Sequence, residues 1–333
     1  MSGSAARAAV YGNQLEEAAR FLKENDDFLV VSHIQPDGDA ASSTVAIGLL
    51  LEQLQKNFLL INEGSVPRKL SFLPKYSEIV NLSENPAKGK FKHIISVDCA
   101  DYSRIGSVAS MFTEDAIVLN IDHHPTNDEF GAVNLIRTDA AATVEILYDL
   151  FQEMKLNWNV SLATAIYTGL LTDTGGFRYS NTTSHVMNIA AEMLRLGVNG
   201  HELANELLEK SSLAHILLLK KALSTLAFTE DKQIAWVMVT AADMKDSNAT
   251  NEDFEGIVNY PRNIEGVEVG LLFKETGKDT YKVGFRSAGK ADVAVIAKSF
   301  GGGGHVRAAG ATVQGPLEQV IQEVVNCVRS ALE

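Results

Sequence analysis

The sequence predicts a two-domain α/β chain: an N-terminal domain built on a parallel sheet, followed by a smaller α/β domain. Three observations lead there. From Phe28 to about Leu196 short apolar runs alternate with amphipathic helical patterns, as strands joined by crossover helices do. The length, 333 residues, exceeds the size at which one hydrophobic core keeps growing. After about residue 225 the texture changes to closely spaced strand-like runs that end in a helical pattern.

The elements follow in order. Phe28-Leu29-Val30-Val31 opens a strand over 28–33, and further strands are expected at 58–62, 91–98 and 116–121. Helices are expected over 39–55, 139–155, 160–171 and 184–196, the first with Asp39 near its N-terminus, where an acid complements the helix dipole. Residues 197–202, with Gly197 and Gly200, break the pattern and are expected to act as a hinge. Leucines at helical spacing from Leu203 to Leu226 predict a connecting helix or helix pair. The expected division is therefore a catalytic domain at 1–196, a linker at 197–225 and a second domain at 226–333. In the second domain 234–239, 267–273 and 281–286 read as strands, with helices over 292–300 and 317–332.

Chemistry concentrates where apolar elements end. His33-Ile34-Gln35-Pro36-Asp37-Gly38-Asp39 places one imidazole and two carboxylates directly after the first strand. Ile94-Ile95-Ser96-Val97 ends in Asp98, Ile117–Ile121 ends in Asp122-His123-His124, and Asp173 follows the apolar stretch Ala165–Leu171. Open α/β sheets build their sites at such C-terminal ends. Carboxylates mixed with imidazole, and no thiolate, suit Mn²⁺ or Mg²⁺ better than a structural zinc. His33 and His123 read as ligands because each lies within a few residues of carboxylates. Adjacent residues on an extended chain point to opposite sides, so His124 is expected to face substrate or a supporting acid rather than the same ion as His123. Asp122 fits either direct ligation of metal or, the favoured reading, the holding of an imidazole. Arg178, Tyr179 and Asn181, after Asp173, fit either a binding wall or a loop that closes a helix turn. His93, His185, His201 and His215 lack acidic partners at ligand spacing and read as structural, as does Cys99 beside Asp98.

The second domain carries Phe300-Gly301-Gly302-Gly303-Gly304-His305. One helix C-cap needs a single left-handed residue, so four glycines fit either a flexible turn or a phosphate cradle that permits close backbone approach to a ligand and leaves N–H groups free for an anion. Arg262 and Arg286 offer planar forks suited to phosphate.

Bulk properties limit the function. A net charge of −13 argues against coating long nucleic acid, which requires many phosphate contacts, but bound divalent cations would reverse the field locally. The apolar stretches fall short of the roughly 20 residues of a membrane helix. Two distant cysteines form no framework and fit a reducing compartment, so a cytoplasmic location is expected.

With these motifs in hand, the chain resembles the DHH phosphoesterase superfamily. His33/Asp37/Asp39, Asp98, Asp122-His123-His124 and Asp173 stand in the family's order and spacing. The Gly301–His305 run matches the signature of the DHH-associated C-terminal domain, and the likeness extends from about residue 15 to 330. The absence of added domains is similar to the nanoRNase and pAp-phosphatase (bifunctional oligoribonuclease) branch rather than RecJ-type exonucleases; family II pyrophosphatases carry a different second domain. The resemblance implies that His33 and Asp37 hold one metal, that Asp39, His123 and Asp173 hold another, and that Asp98 bridges both. It implies a catalytic role for His124 at the scissile phosphate, supported by Asp122, and substrate contacts from Arg262, Arg286, Gly302, Gly303, Gly304 and His305.

The expected chemistry is two-metal hydrolysis of a phosphate ester in the interdomain cleft, with Mn²⁺ ahead of Mg²⁺. Expected substrates are short single-stranded oligoribonucleotides and 3′-phosphoadenosine 5′-phosphate (pAp), with no long duplex and no membrane partner; a homodimer is allowed. The alternatives are a phosphodiesterase for cyclic or linear dinucleotides (c-di-AMP, pApA) and, outside enzymes, a nucleotide sensor with a vestigial metal site.

Overall fold

In the computed structural model, which describes residues 2–332, the chain divides into two compact units, Met1–Lys210 and Ser211–Glu333. The first opens with α1 (Ser2–Glu24), which has no counterpart among the predicted elements. Its buried residues Ala18, Ala19, Phe21 and Leu22 gather near its C-terminal end, so most of the helix carries little periodic signal. Then come β1 (Phe28–Val31), α2 (Gly38–Gln53), β2 (Phe58–Asn62), β3 (Val80–Asn81), β4 (Phe91–Val97), β5 (Phe112–Asp122) and β6 (Val133–Ile136). Helices α3 (Thr143–Glu153), α4 (Val160–Asp173), α5 (Ser184–Arg195) and α6 (Gly200–Ala204) complete the unit.

The six strands form one parallel sheet in the order β3-β2-β1-β4-β5-β6. Its two faces are covered differently. Phe28, Val30, Ile95 and Leu119 pack into a large core with α1–α5, and Leu29, Val31, Ile94 and Val118 pack against Ile105, Val108 and Met111 of a 3-10 segment at Tyr102–Met111. β1 is buried at every position, which is why it reads as an unbroken apolar run.

Residues 197–202, expected as a hinge, lie inside the first unit. Gly197 closes α5 with a positive φ of 101°, and a side chain at Gly200 would strike the Tyr167 hydroxyl and Leu194, so one glycine serves a turn and the other close packing. Asn199 caps α6 by accepting from Glu202 N–H, and Leu203 and Leu207 join the first core. The chain therefore leaves the first unit only after Lys210, inside the predicted linker.

The second unit contains α7 (Leu213–Ser224), β7 (Ala227–Phe228), β8 (Ile234–Val239), α8 (Ala241–Ser247), α9 (Asn259–Arg262), β9 (Val269–Gly277) and β10 (Thr280–Ser287). It ends with α10 (Val293–Ser299), β11 (Gly303–His305), β12 (Ala308–Gln314) and α11 (Leu317–Leu332). Its sheet runs β11-β12-β10-β9-β8-β7, antiparallel except for the β8–β9 pair. α10 and α11 cover one face; α7 covers β8 and β9 on the other. β12, rich in alanine and glycine, gives too weak an apolar signal to be read as a strand from sequence.

Candidate metal centre and phosphate-binding face

The order of the first sheet reverses direction between β1 and β4, the switch point at which open α/β sheets place their ligands. Here the side chains converge. His33 follows β1, Asp37 and Asp39 flank the first residue of α2, Asp98 follows β4, Asp122 ends β5 with His123 and His124 beyond it, and Asp173 is the last residue of α4. The donor atoms of His33, Asp37 and Asp98 lie within 4.8 Å of one another, as do those of Asp39, His123 and Asp173. Asp98 joins the two groups: its Oδ2 is 3.7 Å from His33 Nε2 and its Oδ1 is 3.6 Å from His123 Nε2. All six residues named as metal ligands by the family resemblance lie in these two overlapping groups.

Local structure explains the aim of each group. Asp98 sits at φ 57°, a left-handed conformation rare outside glycine, asparagine and aspartate, with its N–H tied to the Ile121 carbonyl. Asp37 caps α2 by accepting from the N–H groups of Asp39 and Ala40. Asp39, buried, accepts from Thr143 N–H at 2.6 Å and Val144 N–H at 3.2 Å, capping α3, whose own N-cap residue Ala142 has no side-chain acceptor. Gly169 makes room for this: a Cβ there would lie 2.7 Å from Asp39 Oδ1. His123 Nδ1 faces the Ala140 carbonyl at 3.3 Å; a carbonyl only accepts, so Nδ1 is the donor there, and Nε2 faces Asp98 and Asp173.

His124 donates from Nδ1 to Asp122 Oδ1 at 2.7 Å, and Asp122 Oδ2 accepts from Asn127 Nδ2 at 2.7 Å. Asp122 thus holds an imidazole. The expectation that His123 and His124 diverge is corrected: their ring centroids lie 4.7 Å apart, and His124 forms a third potential ligand group with Asp98 and His123. The strand ends at Asp122, so the alternation of an extended chain no longer applies beyond it.

The electrostatics of the cluster are set by burial and by mutual repulsion of its acids. Burial, and then Asp98, Asp173 and Asp37, push the Asp39 carboxyl well above its ordinary range. Burial and neighbouring carboxylates do the same to Asp173. Burial opposes ionisation of Asp98 as well, but His33, His123 and His124 outweigh it and hold its carboxyl far below the usual value. His124 is desolvated, yet the hydrogen bond to Asp122 and the charge of Asp98 raise its pKa. Clustered acids that repel one another's charge in a buried pocket fit a group that brings positive charge.

In the second unit Arg286, Ala308 and His305 oppose one another across β10, β12 and β11, and Gly270 continues the row on β9. Directly opposed residues share a face. The Arg262 backbone lies against Gly270, where any side chain would collide with it, so Arg262, Arg286 and His305 border one face. Arg262 Nε is buried without a hydrogen-bond partner, while Arg286 donates from Nη1 to the Phe285 carbonyl.

The glycine run is less open than expected. Gly301, at φ 72°, and Gly302 close α10 by donating to the Lys298 and Ala297 carbonyls, a Schellman ending, so the Gly302 N–H is not free for an anion. A side chain at Gly302 would meet the Gly310 carbonyl, and Gly304 sits at φ 144°; Gly303 alone of the four has neither constraint. Gly303, Gly304 and His305 form the exposed edge strand β11.

Other residues resolve simply. Arg178 Nε donates to the Gly175 carbonyl and Asn181 Nδ2 to the Ala141 and Asp173 carbonyls, so that loop closes the end of α4. His93 packs against Phe21 and Phe28, and His215 Nδ1 contacts the Asp253 carbonyl. Cys99 is buried, its thiol pushed up to about 12, first by burial. Sequence reasoning missed Thr143 and Asn127 as supports; of the two only Asn127, three residues past His124, stood close to a recognised motif.

Comparison with known proteins agrees over both units. Residues 27–170 match the N-terminal domain of the DHH family and residues 219–333 match the DHHA1 domain. The chain is 34% identical to the bifunctional oligoribonuclease and PAP phosphatase NrnA of Thermus thermophilus, covering 97% of this chain and 95% of that one. It is 27% identical to the Bacillus subtilis protein of the same name, over 89% and 92% of the respective chains. Among solved structures, an exopolyphosphatase-related protein from Bacteroides fragilis superposes with a TM-score of 0.88 at 23% identity, covering 96% of each chain.

Proposed function

Because the chain belongs to the DHH family and carries that family's DHHA1 domain, we propose that it is a metal-dependent phosphoesterase that hydrolyses short oligoribonucleotides and pAp. The observation that carries the metal reading is Asp98, one oxygen toward the His33 group and the other toward the His123 group. The substrate class rests on the full-length likeness to proteins named for those two activities.

The donor set fits two hard divalent cations, Mn²⁺ before Mg²⁺: His33 and Asp37 on one side, Asp39, His123 and Asp173 on the other, Asp98 shared. Such a pair supplies Lewis acidity to a phosphoryl group and acidifies water. Asp98 fixes the spacing of the two halves. His124, its Nδ1 proton committed to Asp122, presents Nε2 to the ester, and its raised pKa favours the protonated form that gives a proton to the leaving oxygen. Arg262, Arg286 and His305 hold a substrate phosphate through charged hydrogen bonds. A nucleotide sensor has no use for this complete donor set.

The test is to load purified protein with Mn²⁺ and offer pAp, pApA, c-di-AMP and a ladder of RNA lengths from the dinucleotide upward. Release of phosphate from pAp and preferential decay of the shortest RNAs is expected. Hydrolysis of c-di-AMP in preference to both would move the reading to a cyclic-dinucleotide phosphodiesterase, and no hydrolysis of any substrate would sink it.

A further inference from the structure

Thr143 is the residue through which the two halves of the metal centre touch a common support. It is the first residue of α3 and is fully buried. Its Oγ1 donates to Asp98 Oδ1 at 2.8 Å and its backbone N–H donates to Asp39 Oδ2 at 2.6 Å. Those two carboxylates come from different elements, one from the end of β4 and one from the start of α2, and each belongs to a different donor group. The Oδ1 that Thr143 engages is also the one facing His123, so the hydroxyl acts on the oxygen directed toward the Asp39 group.

The support is itself anchored. Glu145 accepts from Ala141 N–H at 2.6 Å and pairs with Arg137, which also binds Asp149. The segment so fixed presents the Ala140 carbonyl to His123 and the Ala141 carbonyl to Asn181. Residues 140–144 therefore touch Asp39, Asp98 and His123 directly.

We propose that Thr143 is a positioning residue that sets the separation of Asp98 from Asp39 and thereby the affinity of the centre for divalent cations. This rests on the metal reading above. A buried hydroxyl that donates to a carboxylate fixes which lone pairs remain for a cation, and groups of this kind change metal affinity without touching the metal. Valine at this position keeps the volume, the β-branch and the backbone N–H to Asp39, and removes only the hydroxyl. Serine keeps the hydroxyl and removes a methyl.

The experiment titrates Mn²⁺ into the metal-free full chain, wild type, Thr143→Val and Thr143→Ser, by calorimetry and by the electron paramagnetic resonance of free Mn²⁺, with the Tm of each metal-free protein measured alongside. Thr143→Val should weaken Mn²⁺ binding by about 10–100-fold while its metal-free Tm is not lowered, and Thr143→Ser should bind as wild type does. Wild-type affinity in Thr143→Val overturns the assignment. Equal weakening in Val and Ser, or a metal-free Tm that falls with affinity in Val, shows a packing role and overturns it too. No Mn²⁺ binding by the wild type would instead remove the metal reading on which the assignment stands.

Discussion

Asp98 shows how much a single backbone angle contributes to this site. At φ 57° the carboxylate leaves the strand direction and lies between two imidazoles, a conformation that costs on the order of 1 kcal/mol for most residues and less for aspartate. The identity of Asp98 was legible in the sequence as an acid after an apolar run; its left-handed angle was not, because nothing local requires it. His124 was half legible. The adjacent-residue argument separated its role from that of His123, yet the rings lie side by side, and what distinguishes His124 is its bond to Asp122. If it serves the leaving group, His124→Ala should lower kcat by roughly 10²–10⁴ while two cations remain bound. Elemental analysis of the variant decides between roles: loss of an ion places His124 among the ligands, through the group it forms with Asp98 and His123.

At the scale of elements, α4 and α8 show propensity yielding to, and agreeing with, tertiary demands. Gly169 lies inside α4, where alanine would ordinarily stabilise by about 1 kcal/mol. A Cβ there would come 2.6 Å from Val144 and 2.7 Å from Asp39 Oδ1. Gly169→Ala should therefore lower both the Tm and the affinity for Mn²⁺; a variant with raised Tm and unchanged affinity would show that α4 shifts without disturbing Asp39. α8 is closed by a reciprocal cap in which Thr240 and Asp243 each bond the other's backbone. The Thr240 hydroxyl, then its backbone N–H and Lys221, hold the Asp243 carboxyl below its ordinary value against slight desolvation. A folded pKa below the unfolded one means this stabilisation is complete above about pH 4 and is lost as pH falls through the folded value. Asp243→Ala should cost about 1 kcal/mol at neutral pH, and its Tm should converge on that of wild type in acid. Parallel Tm curves down to the acid limb would mean the cap does not respond to protonation.

Over the whole molecule, the parallel sheet and the order of motifs were legible because β1, β4 and β5 each read as an apolar run that ends in chemistry, whereas the short strands β3 and β6 left no such signal. The expected hinge falls inside the first unit, where Gly197 supplies the positive-φ turn that ends α5 and Gly200 packs against Tyr167 and Leu194. Thr143 left no trace in the pattern, since one threonine at the start of a helix looks like any other. In the second unit the glycine run signalled a special backbone correctly, but two of its four members end a helix and only the arrangement of strands aligns Arg286 with His305. That alignment carries a last prediction. If Arg286 grips a substrate phosphate, Arg286→Ala should cost about 1.5–3 kcal/mol toward pAp and dinucleotides, the scale of a lost charged hydrogen bond, which is roughly 10–100-fold in kcat/KM. A chromogenic phosphodiester too small to reach beyond the metal centre should lose almost nothing. Measuring both substrates in the same preparation separates the explanations: an equal fall for the two would mean that the substitution damages folding or metal loading, and that substrate length is read by some feature other than Arg286.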